Sequence, residues 1–509
     1  MSIDFKNYDP KHEVRAANLI KTLQNTKGTG SAKAKTELLK SVQSDKEFEQ
    51  FFTTLLTMIL DSRIVLNQAD VDPSLVRGLA LKSIKRMSLF DAFREAIESA
   101  QRGDVGAKNL AKLYHAVQPE AQMLFKLFVL REIKAGYGIK SINKIWPDLV
   151  YYSPYMRCGS ISKKHYEKWD WDLGVFSQLK SDGMFDNLHV TISANEDSKM
   201  PSMEFQWVSR QGRELVSQSL ANIASQIAAG MTFVHDIDID WTGHIAQTFH
   251  GELLVYTNEG QLMEREAGNG LINQLIEEGK ELPEGYVVKY RIWDTLPTED
   301  FFKLEYKVEY RHRWAEVVKV VEAYLENNEP EIQAGAPVLF EQCENRIVHT
   351  PEEMFAHFKE LLERGEEGSV VKNPKGFFKD GTSNDQLKVK LVMDVELKVV
   401  GYNDGDKNGK HADTLGSIQF ESEDGLIVSG VAGMTDDFRE AVHNNREYYM
   451  GKIFTIRCNG VQKNPDEDKP DTLYFPRIVS EPRLDKSVAD TYTEILQQQQ
   501  DVIAAGGKI

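Results

Sequence analysis

A lysine followed by an Asp-Gly turn is the stretch of this sequence that is best suited to chemistry. Val175, Phe176 and Leu179 form a short apolar run that predicts a buried strand, and Gly183 interrupts the pattern just after it. Lys180 therefore stands at a strand end, where a cleft can receive its amine. An amine is a nucleophile only when it is neutral, so such a site must lower the lysine pKa by burial or by neighbouring cations. Alone, the match is weak, because lysines before Asp-Gly turns are common on surfaces.

Further motifs along the chain supply the groups that a nucleophilic lysine would need. Carboxylates and amines recur at the predicted ends of strands, and one tryptophan closes a strand where its ring can meet a planar base. Two lysines spaced two residues apart share a strand face, so their charges require water or an anion. Taken singly, each motif is typical of a solvated surface or of the core. The residues concerned are Glu252, Trp293, Asp294, Glu367, Lys372, Lys388, Lys390, Arg483 and Lys486.

Length and composition indicate a soluble protein of several domains. A chain of 509 residues exceeds what one core normally organises. No apolar run approaches the length of a membrane span, and the charged segment 1–25 does not fit a signal peptide. The three cysteines, Cys158, Cys343 and Cys458, lie far apart, which argues against a zinc ribbon and a disulfide framework and favours a reducing cytoplasm.

Charge is unevenly distributed along the chain. The total is −17, but residues 1–150 carry 23 basic and 17 acidic side chains, a net charge of +6, while the remainder carries −23. Local basic patches attract phosphates whatever the total charge, so a basic N-terminal block is compatible with DNA binding. An ordinary helical domain with excess lysine explains the same numbers.

Hydrophobic periodicity divides the chain into three regions that differ in predicted secondary structure. From residue 15 to about 145 it is helical, with apolar stripes such as Phe48, Phe51, Phe52 and Leu55, and Gly136 is expected to end the last helix. From there to about 394, short strands alternate with helices, which predicts a mixed α/β domain. Five short strands between 395 and 478 suit a small barrel. The segment 488–505 reads as a polar, solvated helix.

The order of the motifs, rather than any one of them, resembles the ATP-dependent DNA ligases of the covalent nucleotidyltransferase superfamily. The likeness is closest to the ligases of T-even bacteriophages and also covers residues 131–136, 143–147, 394–401 and 448–452. It implies an enzyme that uses ATP and Mg²⁺ to seal 5′-phosphate/3′-hydroxyl nicks in duplex DNA during replication, repair and recombination. The intermediates would be a lysine–AMP adduct and a DNA–adenylate.

The resemblance implies four regions along the chain. They are an all-α DNA-binding domain at 1–150, an α/β (α+β) nucleotidyltransferase or adenylation domain at 151–394, a β-barrel OB-fold domain at 395–487 and a polar tail at 488–509. We expect a cytoplasmic monomer, in the bacterial host if the gene is phage-encoded, that binds nicked double-stranded DNA and no membrane. A clamp or replisome partner is not specified by the sequence.

The resemblance also implies a role for each site residue. Lys180 would be the nucleophile that becomes AMP-lysine, assisted by the catalytic residues Asp182, Lys372, Lys388 and Lys390. Glu252 and Glu367 would bind the metal. The nucleotide would be bound by Gln178, Leu179, Arg210, Glu252, Trp293, Lys372, Lys388, Lys390, Arg483 and Lys486.

These roles carry specific expectations. Trp293 would stack on adenine, while Gln178 and the backbone near Leu179 would read the base edge. Arg210 would contact ribose or DNA phosphate. Because Arg483 and Lys486 lie in the barrel, they would reach pyrophosphate only if that domain closes over the cleft, with the hinge at Asp394. The amines of Lys372, Lys388 and Lys390 would also crowd Lys180 and favour its neutral form.

One departure and several alternatives remain open. DNA ligases usually carry an arginine two residues after the glycine of the lysine motif, and this chain has Phe185 there. RNA ligases and capping-type nucleotidyltransferases share the lysine and carboxylates, and a nicotinamide-dependent ligase would require a zinc-binding cysteine cluster. A non-catalytic nick- or end-binding protein is an alternative of a different class.

Overall fold

The computed structural model describes residues 8–68, 70–77, 79–101, 103–195, 200–238, 241–277, 281–405, 414–464, 466, 468–479 and 481–504. The chain forms two compact units. The helical unit comprises Met1–Ser153 with Val208–Glu214, and the sheet unit comprises Pro154–Trp207 with Leu215–Ile509. In the described ranges, no helix is both long and apolar enough to span a bilayer.

In the described residues of the helical unit, eight α-helices contribute to a bundle with one apolar core. Periodic phenylalanines predict its longest buried stripe, and in the structure Phe48, Phe51 and Phe52 are fully buried on α3. The Asp45 side chain caps this helix by accepting from the Phe48 backbone N–H. The helices are α1 Pro10–Asn25, α2 Ser31–Ser41, α3 Lys46–Leu60, α4 Leu79–Lys82, α5 Leu89–Glu98, α6 Gly103–Ala116, α7 Gln122–Leu130 and α8 Ile139–Asn143.

The prediction that α7 continues to Gly136 is wrong. The helix ends at Leu130, and Arg131 adopts a left-handed conformation with φ of 56°. The Arg131 guanidinium donates to the backbone oxygens of Met58 and Asp61. Burial lowers the pKa of Arg131 to about 10, and the charge of Asp61 partly opposes that shift. At the end of α7, Arg131 thus contacts backbone carbonyls far away in the sequence, and local periodicity does not predict this helix end.

The sheet unit contains two large sheets whose strands carry or flank most of the predicted site residues. Its first strands are β1 Met156–Ser160, β2 Val175–Leu179, β3 Met184–Ser193, β4 Ser202–Ser209, β5 Glu214–Leu215, β6 His244–Thr257, β7 Tyr286–Pro297, β8 Glu305–Tyr306, β9 Phe340–Gln342, β10 Asn345–Val348, β11 Gly368–Lys372, β12 Phe378–Lys379 and β13 Gly381–Lys390. Its helices in this part are α9 Lys163–Tyr166, α10 Gln218–Val234, α11 Arg265–Glu277, α12 Thr298–Phe302, α13 Tyr310–Asn327, α14 Glu329–Gln333 and α15 Pro351–Glu363.

The strand order explains how distant motifs meet. One sheet has the order β1-β13-β11-β2-β10, so the strand before Lys180 pairs with the strand between Glu367 and Lys372. The other sheet has the order β5-β4-β3-β6-β7-β9 and carries Glu252 and Trp293. Buried residues of α10 and α13 share one core with this second sheet, whereas α15 packs on the first. The expected mixture of helices and sheets is confirmed here.

The C-terminal part of the sheet unit is a separate sheet, with the order β16-β15-β14-β17-β20. Its two ends approach each other at a bridge between Gly433 and Arg477, rather than through a continuous ladder as in the expected closed barrel. The strands are β14 Met393–Asp404, β15 Leu415–Glu421, β16 Val428–Val431, β17 Ile453–Cys458, β18 Val461–Gln462, β19 Thr472–Leu473 and β20 Arg477–Ile478, and the helices are α16 Asp436–Asn444, α17 Arg446–Tyr449 and α18 Tyr492–Ala504.

The expected domain boundary after residue 394 falls inside β14 and stays a prediction. The helix expected at 488–505 is present as α18. The expectation that this helix is solvated is wrong, because Ile495 and Val502 are buried in the core of the C-terminal sheet. Two apolar residues seven positions apart on one helix face anchor it, although the rest of the helix is polar.

Candidate active site

Lys180 lies at the exposed end of a fully buried strand. Every residue of β2 is buried, and the Lys180 backbone N–H donates to Gly368 O over 3.0 Å. The turn that follows needs a glycine, because a Cβ at Gly183 would lie 2.4 Å from Leu253 O. Gly368 has φ of +143°, and a Cβ there would lie 2.3 Å from Val389 O. Close backbone packing therefore fixes where the lysine side chain begins.

The Lys180 amine is paired with a carboxylate. Its Nζ donates to Glu367 Oε2, and the Lys390 Nζ donates to Glu367 Oε1. Burial acts to lower the pKa of Lys180, but Glu367, Glu252 and Asp182 outweigh it, and the net shift is upward. The prediction that cations hold this amine neutral is therefore wrong for this state, because its nearest charged neighbours are acids. Lys180 is a cation here, with 22% of its side chain exposed.

Glu252 lies close to Lys180 as well. One of its carboxylate oxygens accepts from the Gly183 backbone N–H over 3.0 Å. Burial raises the pKa of Glu252 to about 7, against the opposing effect of Lys180. The expected association of Lys180 with both acids is thus present, with the two carboxylates coming from β6 and from the residue before β11.

Asp182 has a partner that the sequence did not reveal. Its Oδ1 accepts from Arg265 Nη1, at the start of α11, over 2.8 Å. Burial raises the pKa of Asp182, the nearby Glu367 adds to the shift, and Arg265 opposes it. Arg265 thereby fixes the Asp182 side chain beside the lysine.

A cavity opens between the two sheets next to Lys180. Three aromatic rings line one side of it: Phe185 lies 4.7 Å from Tyr155 in an edge-on arrangement and 5.8 Å from Trp293 at 35°. Part-buried aromatic faces in a cavity are suited to planar ligands. The lining residues are Tyr155, Met156, Cys158, Gln178, Leu179, Lys180, Ser181, Phe185, His250, Glu252, Trp293, Asp294, Cys343, Val370, Lys372, Phe378 and Gln386.

Gln178 offers free hydrogen-bonding groups to this cavity. Its side chain is 1% exposed, and neither amide atom has a hydrogen-bond partner in the described part of the chain. Buried polar groups are almost always paired, so an unpaired amide in a cavity wall is suited to a polar ligand. A carboxamide can donate and accept at once, which matches the edge of a nucleobase.

Lys372 is a second amine in the cavity wall. It is 3% exposed, donates to Tyr310 Oη over 3.0 Å and lies 4.4 Å from the centre of that ring. Burial lowers the pKa of Lys372 to about 8, although Asp294 partly opposes the shift. The residue whose pKa is lowered is therefore Lys372 and not Lys180.

The remaining predicted amine belongs to Lys388, which lies on β13. Burial raises the pKa of the Cys158 thiol, and the charges of Lys372, Lys180 and Lys388 oppose that shift. The charges of these three amines thus all act on one cavity-lining thiol. Among described residues, Lys388 and Lys390 do not line the cavity itself, and Lys390 faces Glu367 instead.

The structure does not bring Arg483 and Lys486 to the cavity. Arg483 donates to Glu396 Oε1 over 2.7 Å and pairs with Asp485, while Lys486 lies 3.9 Å from Asp490. These acids all belong to the C-terminal part of the chain. The expectation that both cations act only after closure of this part therefore stays a prediction.

In the described part of the chain, Arg210 and Asp394 are not among the residues that line the cavity. Arg210 belongs to the helical unit, and its expected contact with ribose or DNA phosphate stays a prediction. Asp394 lies on β14, where both of its carboxylate oxygens accept from Arg457 over 2.7 Å. Its role as a hinge also stays a prediction.

Sequence reasoning missed three residues at this site and gave a fourth no role. Tyr155 and Phe185 extend the aromatic wall beyond Trp293, and Arg265 holds Asp182. Phe185 was noted from the sequence only because it stands where DNA ligases usually carry an arginine. His250 lines the cavity, two residues before Glu252 on β6. Strand alternation would have placed His250 on the same face as Glu252, whereas nothing in the local sequence marks Tyr155 or Arg265.

The chain is similar to known DNA ligases. No protein-family model matches it. It is 24% identical over 396 residues to the DNA ligase of Enterobacteria phage T4, which covers 72% of this chain and 76% of that protein. The DNA ligase of Enterobacteria phage T6 is also 24% identical, over 399 residues with the same coverage. These relatives confirm the resemblance that the motif order predicted.

A more distant relative and one solved structure add to this comparison. A DNA ligase of Methanothrix thermoacetophila is 28% identical over 180 residues, 31% of this chain and 32% of that protein. The solved structure described as Pmar-Lig_PreS3 matches with a TM-score of 0.66 and 18% identity, over 91% of this chain and 98% of its own. At that identity the match shows a shared fold.

Proposed function

We propose that this chain is an ATP-dependent DNA ligase that seals nicks in duplex DNA through a covalent lysine–AMP intermediate. The observation that carries the proposal is the position of Lys180, whose amine lies among Glu367, Glu252 and Asp182 beside a cavity with an aromatic wall and an unpaired amide. Such a cavity suits a purine, and the amine at its edge suits attack on the α-phosphate.

The reaction consists of three displacements at phosphorus. First, Lys180 Nζ attacks the α-phosphate of ATP, and the bond to pyrophosphate breaks. Then a 5′-phosphate oxygen at the nick attacks the same phosphorus, and the lysine leaves. Finally the adjacent 3′-hydroxyl attacks the activated 5′-phosphate, and AMP leaves. Because the Lys180–Glu367 pair holds the amine as a cation, this contact must loosen and the proton must leave before the first step.

The chain's own residues position the nucleotide for that step. Trp293 and the neighbouring rings provide faces for adenine, and Gln178 pairs with the base edge. The buried amine of Lys372 meets the negative charge that grows on phosphate oxygens, as preorganised cations do in phosphoryl transfer. Lys388 and Lys390 add positive charge from β13.

The carboxylates fit a magnesium ion. Mg²⁺ is held in proteins by one or two carboxylates together with phosphate oxygens and water, and the charges of Glu367 and Glu252 both act on Lys180. Glu367 and Glu252 would therefore hold it, and bound Mg²⁺ would supply charge neutralisation at the phosphates. Histidine and cysteine ligands are not needed for such a site.

The domain organisation follows from the same proposal. The helical unit, which contains the basic block, would bind duplex DNA, and residues 151–394 would form the adenylation domain. The C-terminal sheet, whose ends meet at Gly433 and Arg477, would form an OB-fold that closes over the cleft during adenylation. The monomeric state, the cytoplasmic location and any replication partner belong to the proposal as well.

The test is a sealing assay combined with covalent labelling. Incubation with α-labelled ATP should label the protein through a bond that survives alkali and is lost in acid, and a nicked duplex should be sealed with ATP but not with GTP or a nicotinamide dinucleotide. A protein that binds nicks without taking up label would be a binding module. Sealing of RNA strands in place of DNA would move the chain to the RNA ligases.

A further inference from the structure

His250 is a buried histidine in the wall of the proposed nucleotide cavity. It lies on β6, two residues before Glu252, so both side chains are on the same face of the strand. The residue is 5% exposed, and in the described part of the chain its Nε2 has no hydrogen-bond partner.

The orientation of the His250 ring is fixed by two contacts. Its Nδ1 lies 2.6 Å from Asn187 Oδ1, and its ring stacks on Phe378 with centres 5.5 Å apart and planes 14° apart. Because a carbonyl oxygen only accepts, Nδ1 carries the proton in this contact. The second nitrogen, Nε2, then has a free lone pair and acts as an acceptor.

The surroundings of the ring favour its uncharged form, because the side chain is buried and packs against aromatic rings. A neutral imidazole carries one proton, and the Asn187 contact decides which nitrogen holds it. Nε2 is thus an acceptor without a donor in the wall that also contains the unpaired amide of Gln178.

We propose that His250 Nε2 accepts a hydrogen bond from a donor group on the bound nucleotide, either the exocyclic amine of adenine or a ribose hydroxyl. The proposal rests on the proposed function, because it needs a nucleotide in this cavity. The phosphates carry no proton to donate at neutral pH, and Mg²⁺ prefers oxygen ligands. A donor on the nucleoside is the partner that matches a neutral imidazole acceptor.

A matched control exists on the neighbouring strand. His189 on β3 is equally buried at 5%, its Nδ1 also contacts a side chain, Thr248 Oγ1, and its Nε2 is also without a partner among the described residues. His189 is not in the cavity lining of the described chain. Replacing either histidine with phenylalanine removes the same groups, but only His250→Phe removes them from the cavity wall.

The experiment measures dissociation constants by calorimetry on the full-length protein. The probe is α,β-methylene-ATP, which cannot transfer AMP, with three analogues that lack the 6-amino group, the 2′-hydroxyl or the 3′-hydroxyl. We expect His250→Phe to weaken binding of the parent probe about tenfold, the typical effect of one lost hydrogen bond. One analogue should bind equally to the wild type and to His250→Phe, and that analogue identifies the donor.

Two variants complete the design. His250→Gln keeps an acceptor near the Nε2 position and should restore most of the affinity, whereas His189→Phe should leave all four affinities unchanged. Equal weakening of the probe and all three analogues by His250→Phe would show a packing role and overturn the proposal, as would no weakening. Equal binding of all four compounds by the wild type would overturn it even if the variants fail to fold.

Failure of this proposal is distinguishable from failure of the proposed function. If the proposed ligase function is wrong, Lys180 of the wild type will not become labelled during incubation with ATP. If only the His250 proposal is wrong, the protein will take up label, and the analogue affinities will lack the expected pattern.

Discussion

The carboxylate of Glu367 accepts a hydrogen bond from the amine of Lys180, across 187 residues of sequence separation. The same carboxylate accepts from Lys390, so one acid serves two lysines at the edge of the cavity. The pairing raises the pKa of Lys180 and keeps its amine protonated. Activation of this lysine therefore depends on weakening its contact with Glu367.

Lys180→Ala should abolish formation of the covalent AMP adduct and leave the fold intact. The side chain lies at the end of β2 and is partly exposed, so its loss removes the nucleophile without opening the core. The measurement is covalent labelling with α-labelled ATP, with thermal unfolding as the check on folding. Persistent labelling of this variant would place the nucleophile at another residue.

Adenylation by the wild type should accelerate with pH. The reactive form of Lys180 is the neutral one, and a raised pKa means that this form gains about tenfold per pH unit below the pKa. Glu367→Gln removes the strongest charge that raises the pKa, so the rise should move to lower pH while the maximal rate falls. Single-turnover adenylation between pH 6.5 and 10 measures the shift of the rise, because this whole range lies below the raised pKa of the wild-type lysine.

Asp182→Asn is the matched comparison for that pH profile. Asp182 acts on the Lys180 amine more weakly than Glu367 does, so its removal should shift the profile in the same direction by a smaller amount. Identical pH profiles for the wild type and Glu367→Gln would show that Glu367 does not control the proton of Lys180.

Gln178→Leu should stabilise the protein and weaken ATP binding. Both amide atoms of Gln178 are buried and unpaired among described residues, so their removal should raise the free energy of unfolding by ~1–3 kcal/mol. Gln386→Leu is the control, because Gln386 lines the same cavity but donates to Met156 O over 3.0 Å, and its loss should destabilise. Denaturant unfolding and nucleotide titration test the pair, and destabilisation by Gln178→Leu would contradict the prediction.

Lys372→Met should lower activity and raise the free energy of unfolding, and the gain in stability should depend on pH. The pKa of Lys372 is about 8 in the folded chain, against 10.5 ordinarily. Below pH 8 the Lys372 amine is protonated in both the folded and the unfolded chain. The folded chain is then destabilised by the full cost of burying that charge. Between about 8 and 10.5 the unfolded state binds more protons, so wild-type stability rises with pH.

The gain from Lys372→Met should therefore be about 1–3 kcal/mol at pH 7 and should shrink above pH 8, while adenylation falls about 100-fold. Denaturant unfolding at pH 7 and 9.5 measures the stability difference. Lys375→Met, at a half-exposed lysine paired with Asp170, should change stability by less than ~0.5 kcal/mol. A constant gain across this pH range would show that desolvation of the charge is not its source.

Arg483→Ala should slow adenylation by ATP about 100-fold, the typical effect of one lost charge contact. Sealing of DNA that already carries AMP should be nearly unaffected, because pyrophosphate is absent from that step. Arg446→Ala is the control, since Arg446 pairs with Asp404 in the same part of the chain. If both arginine variants adenylate at the wild-type rate, closure of the C-terminal sheet does not deliver Arg483.

Local patterns in the sequence determined the outline of the fold and the identity of the key residues. Phenylalanines at helical spacing predicted the core of α3, because periodicity follows directly from helix geometry. The order of the motifs identified Lys180, Glu252 and Glu367 as neighbours and the chain as similar to DNA ligases. Helix ends were less predictable, as Arg131 shows, because they depend on distant carbonyls.

Only the tertiary structure decided the charge and pairing of those residues. Glu367, rather than a cluster of amines, faces Lys180, and burial lowers the pKa of Lys372. The unpaired amide of Gln178 and the fixed tautomer of His250 likewise arise from contacts between separate strands. A pKa depends on distances of a few ångströms between groups far apart in the chain, and those distances exist only once the two sheets are assembled around the cavity.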